Sequence, residues 1–300
     1  MLYGTEDIQK EILDKVNRFE VENNAKVIFG SMVGSISKGM ERYDSDYDTR
    51  FLYLDKSNSG FLRYDRIKDN LAERDIHKCY IPEVKNLFYD KIAFWELTSF
   101  INFLRNPSLD GKFSVGLYHI VNWTFNSPYC YDPYGIKSKI IYMLDAMFQK
   151  SYELIYYKNY IEKCLSKEPP FLREYLYSSY YAIAMLFCMK YNRFAPVYFP
   201  TLLVFCENEE VKIEIEKLSN IYYAETIRIL QKKGDFLERK VANGILTSRN
   251  KIIDEFLFST LSTVEIVFSS EAEKNDTDYV ENIINIIINS LSRPKVQDVN

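Results

Sequence analysis

Three hundred residues, 47% hydrophobic and 27% charged, are enough for one large core or two modest ones and exclude an intrinsically disordered chain. A formal net charge of −4 excludes a chain-wide basic field, so any nucleic-acid ligand is expected as a short end or single nucleotide in a local groove. Five scattered cysteines without a C-x-x-C pair, and only His77 and His119 as histidines, exclude a disulfide framework and a histidine-rich metal site.

In chain order, Ile8, Ile12, Leu13, Val16 and Phe19 recur at helical spacing and predict an amphipathic first helix, ended by Glu22-Asn23-Asn24. Lys26 to Val33 is β-branched and aromatic and reads as a strand. Gly34-Ser35 follows, then a short segment to Met40, a turn-rich Glu41 to Ser45, and a second strand over Tyr47 to Leu54 closed by the loop Asp55 to Gly60. Phe61 to Asp90 carries mixed signals. Trp95 to Leu104 reads as a helix with Leu97, Ile101 and Leu104 on one face, stopped by Asn106-Pro107.

From Ile140 onward strand signals nearly vanish. Helices are expected over Ile140 to Cys164, Leu172 to Tyr191, Glu209 to Lys232, Leu237 to Phe268 and Thr277 to Leu291. Pro169-Pro170, Ala195-Pro196, Pro200 and Gly234 break them. The expected class is α+β: a sheet-bearing front over residues 1–135, a helical domain over 136–292 and a tail over 293–300. The first residues lack a leader pattern and no apolar run reaches membrane-span length, so a soluble, cytoplasmic protein without a membrane partner is expected.

The chemistry gathers between residues 34 and 50. Side chains alternate across a strand, so Asp46, Asp48, Arg50, Leu52 and Leu54 share one face, and Tyr47, Thr49, Phe51 and Tyr53 the other. Two aspartates so placed have Cα atoms about 7 Å apart. Mg²⁺ is held by a few carboxylates plus substrate phosphates, and a pair of such ions can activate an attacking oxygen and stabilise a leaving pyrophosphate. Arg50 on the same face suits a phosphate. An Asp-x-Asp alone is more commonly a solvated turn or an N-cap; a strand, a Gly-Ser turn, a second glycine and then Asp-x-Asp is a more specific arrangement.

Gly34-Ser35, Gly39 and Ser45-Asp46-Tyr47-Asp48 resemble the signature of the DNA polymerase beta nucleotidyltransferase superfamily. Ser35 stands eleven residues before Asp46, which is the family interval, whereas Ser31 is four residues too early and belongs to the preceding strand. The longer stretch from Ser45 to Tyr53 is similar to the RNA repair pathway DNA polymerase beta family. Further similar pieces are Trp95-Glu96-Leu97 with Phe100 ahead of Asn106-Pro107-Ser108-Leu109, Ser127-Pro128 near Tyr131, and Tyr175-Leu176-Tyr177 leading toward Pro196 and Pro200. Together they cover about Lys26 to Leu203.

The resemblance implies a polymerase-beta-like domain with a small mixed sheet, followed by a helical domain. It implies Mg²⁺ or Mn²⁺ on Asp46, Asp48 and a third carboxylate. Gly34, Ser35, Lys38, Gly39 and Arg50 would bind a nucleoside triphosphate, whose nucleoside monophosphate passes to a hydroxyl acceptor such as an RNA 3′ end. In the family the Gly-Ser turn wraps phosphate through backbone N–H groups, a use that helix dipoles favour.

Asp90 is the nearest third carboxylate, one residue early against the family pattern; a helix N-cap is its competing role, and Glu83 the alternative ligand. Glu96 is expected to stabilise the first turn of its own helix. Tyr180 stands where the family tends to carry an arginine. Lys38 fits a phosphate contact or a solvated surface equally. Tyr175, Tyr177, Tyr180, Tyr181 and Met185 read as a helix-packing face. Two rival functions remain open: transfer to a protein or small-molecule acceptor, and a nucleotide-binding module whose catalysis has lapsed.

Overall fold

The computed structural model describes residues 2, 6–41, 45, 47–55, 79–80, 92–97, 122–144, 148, 150–233, 245–268, 285 and 289. The chain divides into two compact units. One comprises Met1–Ser37, Asp46–Met147 and Asn275–Asn300; the other comprises Lys38–Ser45 and Phe148–Lys274.

In the first unit, α1 (Glu6–Glu22) buries Ile12, Val16 and Phe19, the stripe its spacing predicts. Asn24, in the left-handed region at φ 45°, ends the turn after it. The strands are β1 (Ala25–Met32), β2 (Thr49–Asp55), β3 (Cys79–Tyr80), β4 (Ile92–Glu96) and β5 (Cys130–Tyr131), with a short helix α2 (Gly34–Lys38) after β1. They form a mixed sheet in the order β3-β4-β2-β1-β5. β1 is antiparallel to both β2 and β5, β3 is antiparallel to β4, and β4 runs parallel to β2.

Ile12, Val16 and Phe19 share one core with Val27, Phe51, Ile92 and Phe94, with Tyr47 and Tyr53 packed at its margin. Phe19 stacks on Phe94 with ring centroids 3.7 Å apart. The face of β2 turned to this core is therefore the one holding Phe51 and Tyr53, as strand alternation requires. Phe29 stacks on Phe125 at 5.0 Å. Asp132 accepts from the N–H groups of Ile136 (2.7 Å) and Lys137 (3.0 Å), which starts α3 (Ile136–Leu144).

One element differs in kind from its reading in the sequence. Trp95 and Glu96 are the end of a strand rather than the start of a helix; Leu97 is helical, and residues 98–121 lie outside those described. The i, i+3, i+4 apolar spacing begins only at Leu97. Ile92 and Phe94 alternate into the core beside Phe51, and this packing with the parallel ladder to β2 decides the conformation.

The second unit contains α4 (Lys150–Leu165), α5 (Leu172–Tyr191), α6 (Phe199–Leu203), α7 (Glu209–Lys233) and α8 (Lys251–Phe268). The one helix expected over Ile140 to Cys164 is thus two, α3 and α4. Tyrosines knit α4 to α5: Tyr157 and Tyr181 stack at 5.3 Å, and Tyr160 meets Tyr181 edge-on at 4.7 Å. Tyr175, Tyr177, Tyr180, Tyr181 and Met185 are all buried, as a packing face should be.

Residues 245–250, expected within the helix over Leu237 to Phe268, are not helical. Leu246 bridges to Phe171, and Asn250 caps α8 by accepting from the N–H groups of Ile252 (3.0 Å) and Ile253 (3.2 Å). The cap supplies partners for donors a helix start leaves open, so the helix begins there. Residues 234–244 lie outside those described, as does most of Thr277 to Leu291, of which residues 285 and 289 are helical. The tail 293–300 is outside them too. Among the described residues, no helix is long and apolar enough to cross a membrane.

Candidate active site

The β1–β2 ladder pairs Met32 with Thr49, and the next step outward joins Val33 to Asp48: the Val33 N–H donates to the Asp48 carbonyl at 2.8 Å. The ladder thereby sets the backbone of Gly34 against Asp48. A β-carbon on Gly34 would stand 2.7 Å from Asp48 Oδ2, closer than real contacts come. Gly34 also has φ +73°, in the region that glycine alone occupies without strain. Both observations demand glycine, and both follow from the closeness of the turn to the carboxylate.

α2 starts at this glycine. Its first turn is tied by Ser37 Oγ, which donates to the Gly34 carbonyl at 3.1 Å. Gly34, Ser35, Asp48 and Arg50 are all half-buried, so the turn and carboxylate keep an accessible side. Arg50 pairs across the ladder with Ser31, and its Nη1 donates to the Thr49 carbonyl at 3.0 Å. Ser31 is buried within β1, apart from the turn, as its spacing predicts. Burial pushes the Tyr47 phenol above its ordinary range, in keeping with its place at the core margin.

Lys38 and Gly39 are counted with the second unit. Lys38 is only 1% exposed, with Nζ 5.8 Å from the centroid of the Tyr177 ring, so it is not a solvated lysine. Gly39 has φ +63°, and the space of its absent side chain is filled by the ring of Tyr198. Asp46, Asp90 and Glu83 lie outside the described residues, as do His77 and His119. Among the described residues no three His, Cys, Asp or Glu side chains gather as a metal group.

Two expectations are corrected. Glu96 does not stabilise a helix's first turn: it is the last residue of β4, opposite Tyr53, and 6% exposed. The helix that Asp90 was to cap does not begin there either, because Ile92 to Glu96 is strand, and an N-cap needs helical residues directly after it. Tyr198 had no signal in the sequence, since its packing on Gly39 joins positions far apart in the chain.

Similarity to known proteins agrees with this geometry. The chain is 21% identical over 277 residues to a protein from Bacillus subtilis (strain 168) recorded as "Uncharacterized protein YcgL", covering 90% of this chain and 92% of that one. No solved structure matches. Residues 8–108, which include Gly34, Ser35, Lys38, Gly39, Asp46, Asp48, Arg50 and Asp90, match the RNA repair pathway DNA polymerase beta family and so mark a nucleotidyltransferase-like domain.

Proposed function

We propose that the chain is a Mg²⁺-dependent nucleotidyltransferase that moves a nucleoside monophosphate from a nucleoside triphosphate to an acceptor hydroxyl, an RNA 3′ end in the first instance, releasing pyrophosphate. The observation that carries this reading is the Asp48 carboxylate lying against a side-chain-free, left-handed Gly34. A hard oxygen donor beside open backbone suits a phosphate-bound Mg²⁺; a β-carbon there would fill the cradle.

Asp46 and Asp48, with Asp90 as third carboxylate, would hold the ion. When bound, it supplies neutralising charge to the phosphates and lowers the cost of ionising the attacking hydroxyl. The topology supports Asp90. Thr49 and Ile92 are partners in parallel strands, Asp48 comes one residue before the first, and Asp90 comes two before the second. Gly34 and Ser35 would meet the triphosphate through backbone N–H groups, and Arg50 would add a charge-assisted hydrogen bond. Their work is positioning and charge placement.

The net charge of −4 favours a second acceptor class, a protein or small-molecule hydroxyl, over a large RNA. One experiment separates the readings: the purified chain with Mg²⁺ and each α-labelled nucleoside triphosphate in turn, offered total RNA, protein or small-molecule extract. Label on RNA 3′ ends is the expected result. Label on protein or small molecules moves the reading to the second acceptor. Binding of nucleotide without any transfer leaves the lapsed module.

A further inference from the structure

We propose that the Ser31 hydroxyl binds a phosphate oxygen of the nucleoside triphosphate beside Arg50; this rests on the nucleotidyltransferase reading above. Every residue involved belongs to the first unit. The two faces of its sheet are told apart by what they pack against. Met32, Phe51, Ile92 and Phe94 lie in the core with α1, and Tyr53 and Tyr131 pack against it. Ser31, Arg50 and Cys130 alternate with these residues along their strands, so they share the opposite face.

The ladders put those three residues in one row. Ser31 pairs with Arg50 on one side and with Cys130 on the other. Neighbouring strands lie about 4.8 Å apart, so Arg50 and Cys130 have Cα atoms about 10 Å apart with Ser31 between them. Asp48 comes two residues before Arg50, and its carbonyl accepts from the Val33 N–H at 2.8 Å. The row is therefore the next step inward, about 7 Å along the strand, from the contact between Gly34 and Asp48. Arg50 Nη1 donates to the Thr49 carbonyl at 3.0 Å, which ties one end of the guanidinium to its strand.

Ser31 is the member of this row that the fold leaves unsatisfied. It is 0% exposed, and its Oγ has no hydrogen-bond partner among the described residues. A buried hydroxyl in that state costs stability. Arg50 and Cys130 on either side are half-buried, so the row is not sealed at its flanks. A phosphate oxygen held by Arg50 would give the hydroxyl an acceptor, and a hydrogen bond to a charged group is the stronger kind. Thr49 is the contrast. It too is fully buried with an unpartnered Oγ1, but it pairs with Met32 and Ile92 on the core face, where a phosphate has no place. Only one of the two orphan hydroxyls stands beside a guanidinium.

The test uses the full chain with Mg²⁺ and, in turn, a nucleoside triphosphate, inorganic tripolyphosphate and the free nucleoside. Calorimetry reads affinity and thermal unfolding reads stability. Ser31→Ala should raise the Kd for the nucleoside triphosphate and for tripolyphosphate about tenfold or more, while the Tm holds or rises. Weaker binding in a chain at least as stable is not what a purely structural serine gives. Thr49→Val should also hold or raise the Tm but leave both Kd values unchanged. Iodoacetamide supplies a second reading on the wild-type chain. Among the cysteines whose side chains are described, Cys130 alone is not buried. Nucleoside triphosphate or tripolyphosphate should slow its alkylation at least about fivefold, with the modified site read by mass spectrometry, because thiol reactivity follows access. The free nucleoside should not protect it. A wild-type Kd in Ser31→Ala overturns the assignment, as does an unprotected Cys130 in a chain that calorimetry shows to be saturated. Equal weakening by Thr49→Val, or protection by the nucleoside alone, overturns it as well. A wild-type chain that binds neither nucleoside triphosphate nor tripolyphosphate overturns the nucleotidyltransferase reading instead.

Discussion

Asp48 Oδ2 lies 2.7 Å from where a β-carbon on Gly34 would stand, and the Val33 N–H is bound to the Asp48 carbonyl at 2.8 Å. The glycine and the carboxylate are therefore one feature, built by the last steps of the β1–β2 ladder. Gly34→Ala should cost about 1–3 kcal/mol of stability, the usual range for a non-glycine residue held in a sparsely populated conformation. It should also weaken nucleoside triphosphate binding, because the new methyl group displaces Asp48. Chemical denaturation and calorimetry on one preparation check both, and unchanged nucleotide affinity would remove the turn from the site.

Asp46→Ala and Asp48→Ala should each abolish nucleotide transfer while the chain stays folded. Their effect on stability has a definite sign. In the absence of Mg²⁺, clustered carboxylates repel one another, so removing one should leave the Tm unchanged or raise it. Substantial residual transfer in either variant would sink the metal-dependent scheme; circular dichroism shows whether the fold survives.

Gly30 behaves differently from Gly34, although each precedes a serine. It faces Phe51 across the ladder, and a β-carbon there would lie 2.1 Å from Phe51 Cδ1, within the ring's own volume. Gly30→Ala should therefore destabilise the sheet by about 1–3 kcal/mol or more through overpacking. Urea unfolding measures this. A variant as stable as wild type would mean that the Phe51 ring yields freely.

The tyrosines between α4 and α5 predict an alkaline limit. Burial pushes the phenols of Tyr157, Tyr180 and Tyr181 well above their ordinary value of 10.0. A folded-state value above the unfolded one means that the folded chain holds more protons, so stability is intact below about pH 10 and falls as pH rises beyond it. Absorbance at the phenolate band should show these tyrosines ionising together with unfolding, not before it. Their titration in a chain that keeps its far-ultraviolet dichroism would contradict the packing.

Local physics alone carried a good part of this protein into view. The stripe of Ile12, Val16 and Phe19, the run of Lys26 to Val33 and the span Leu172 to Tyr191 are set by periodicity and propensity within short windows, and the eleven-residue interval from Ser35 to Asp46 is legible through its resemblance to the polymerase beta signature. The structure bears out the elements among these and brings Gly34 to Asp48, while Asp46 and Asp90 lie outside the described residues. Other features needed partners distant in sequence. Ile92 to Glu96 became a strand because it pairs with Thr49 to Tyr53 and stacks Phe94 on Phe19, neither of which the segment's own spacing records. Residues 245–250 left the helical pattern because Phe171 and the Asn250 cap compete for them. Lys38 looked equally suited to solvent or phosphate, and its place over Tyr177 was decided by a helix more than a hundred residues further on. Burial is a property of what the chain brings together, and a side chain that can serve two environments takes the one that tertiary packing supplies.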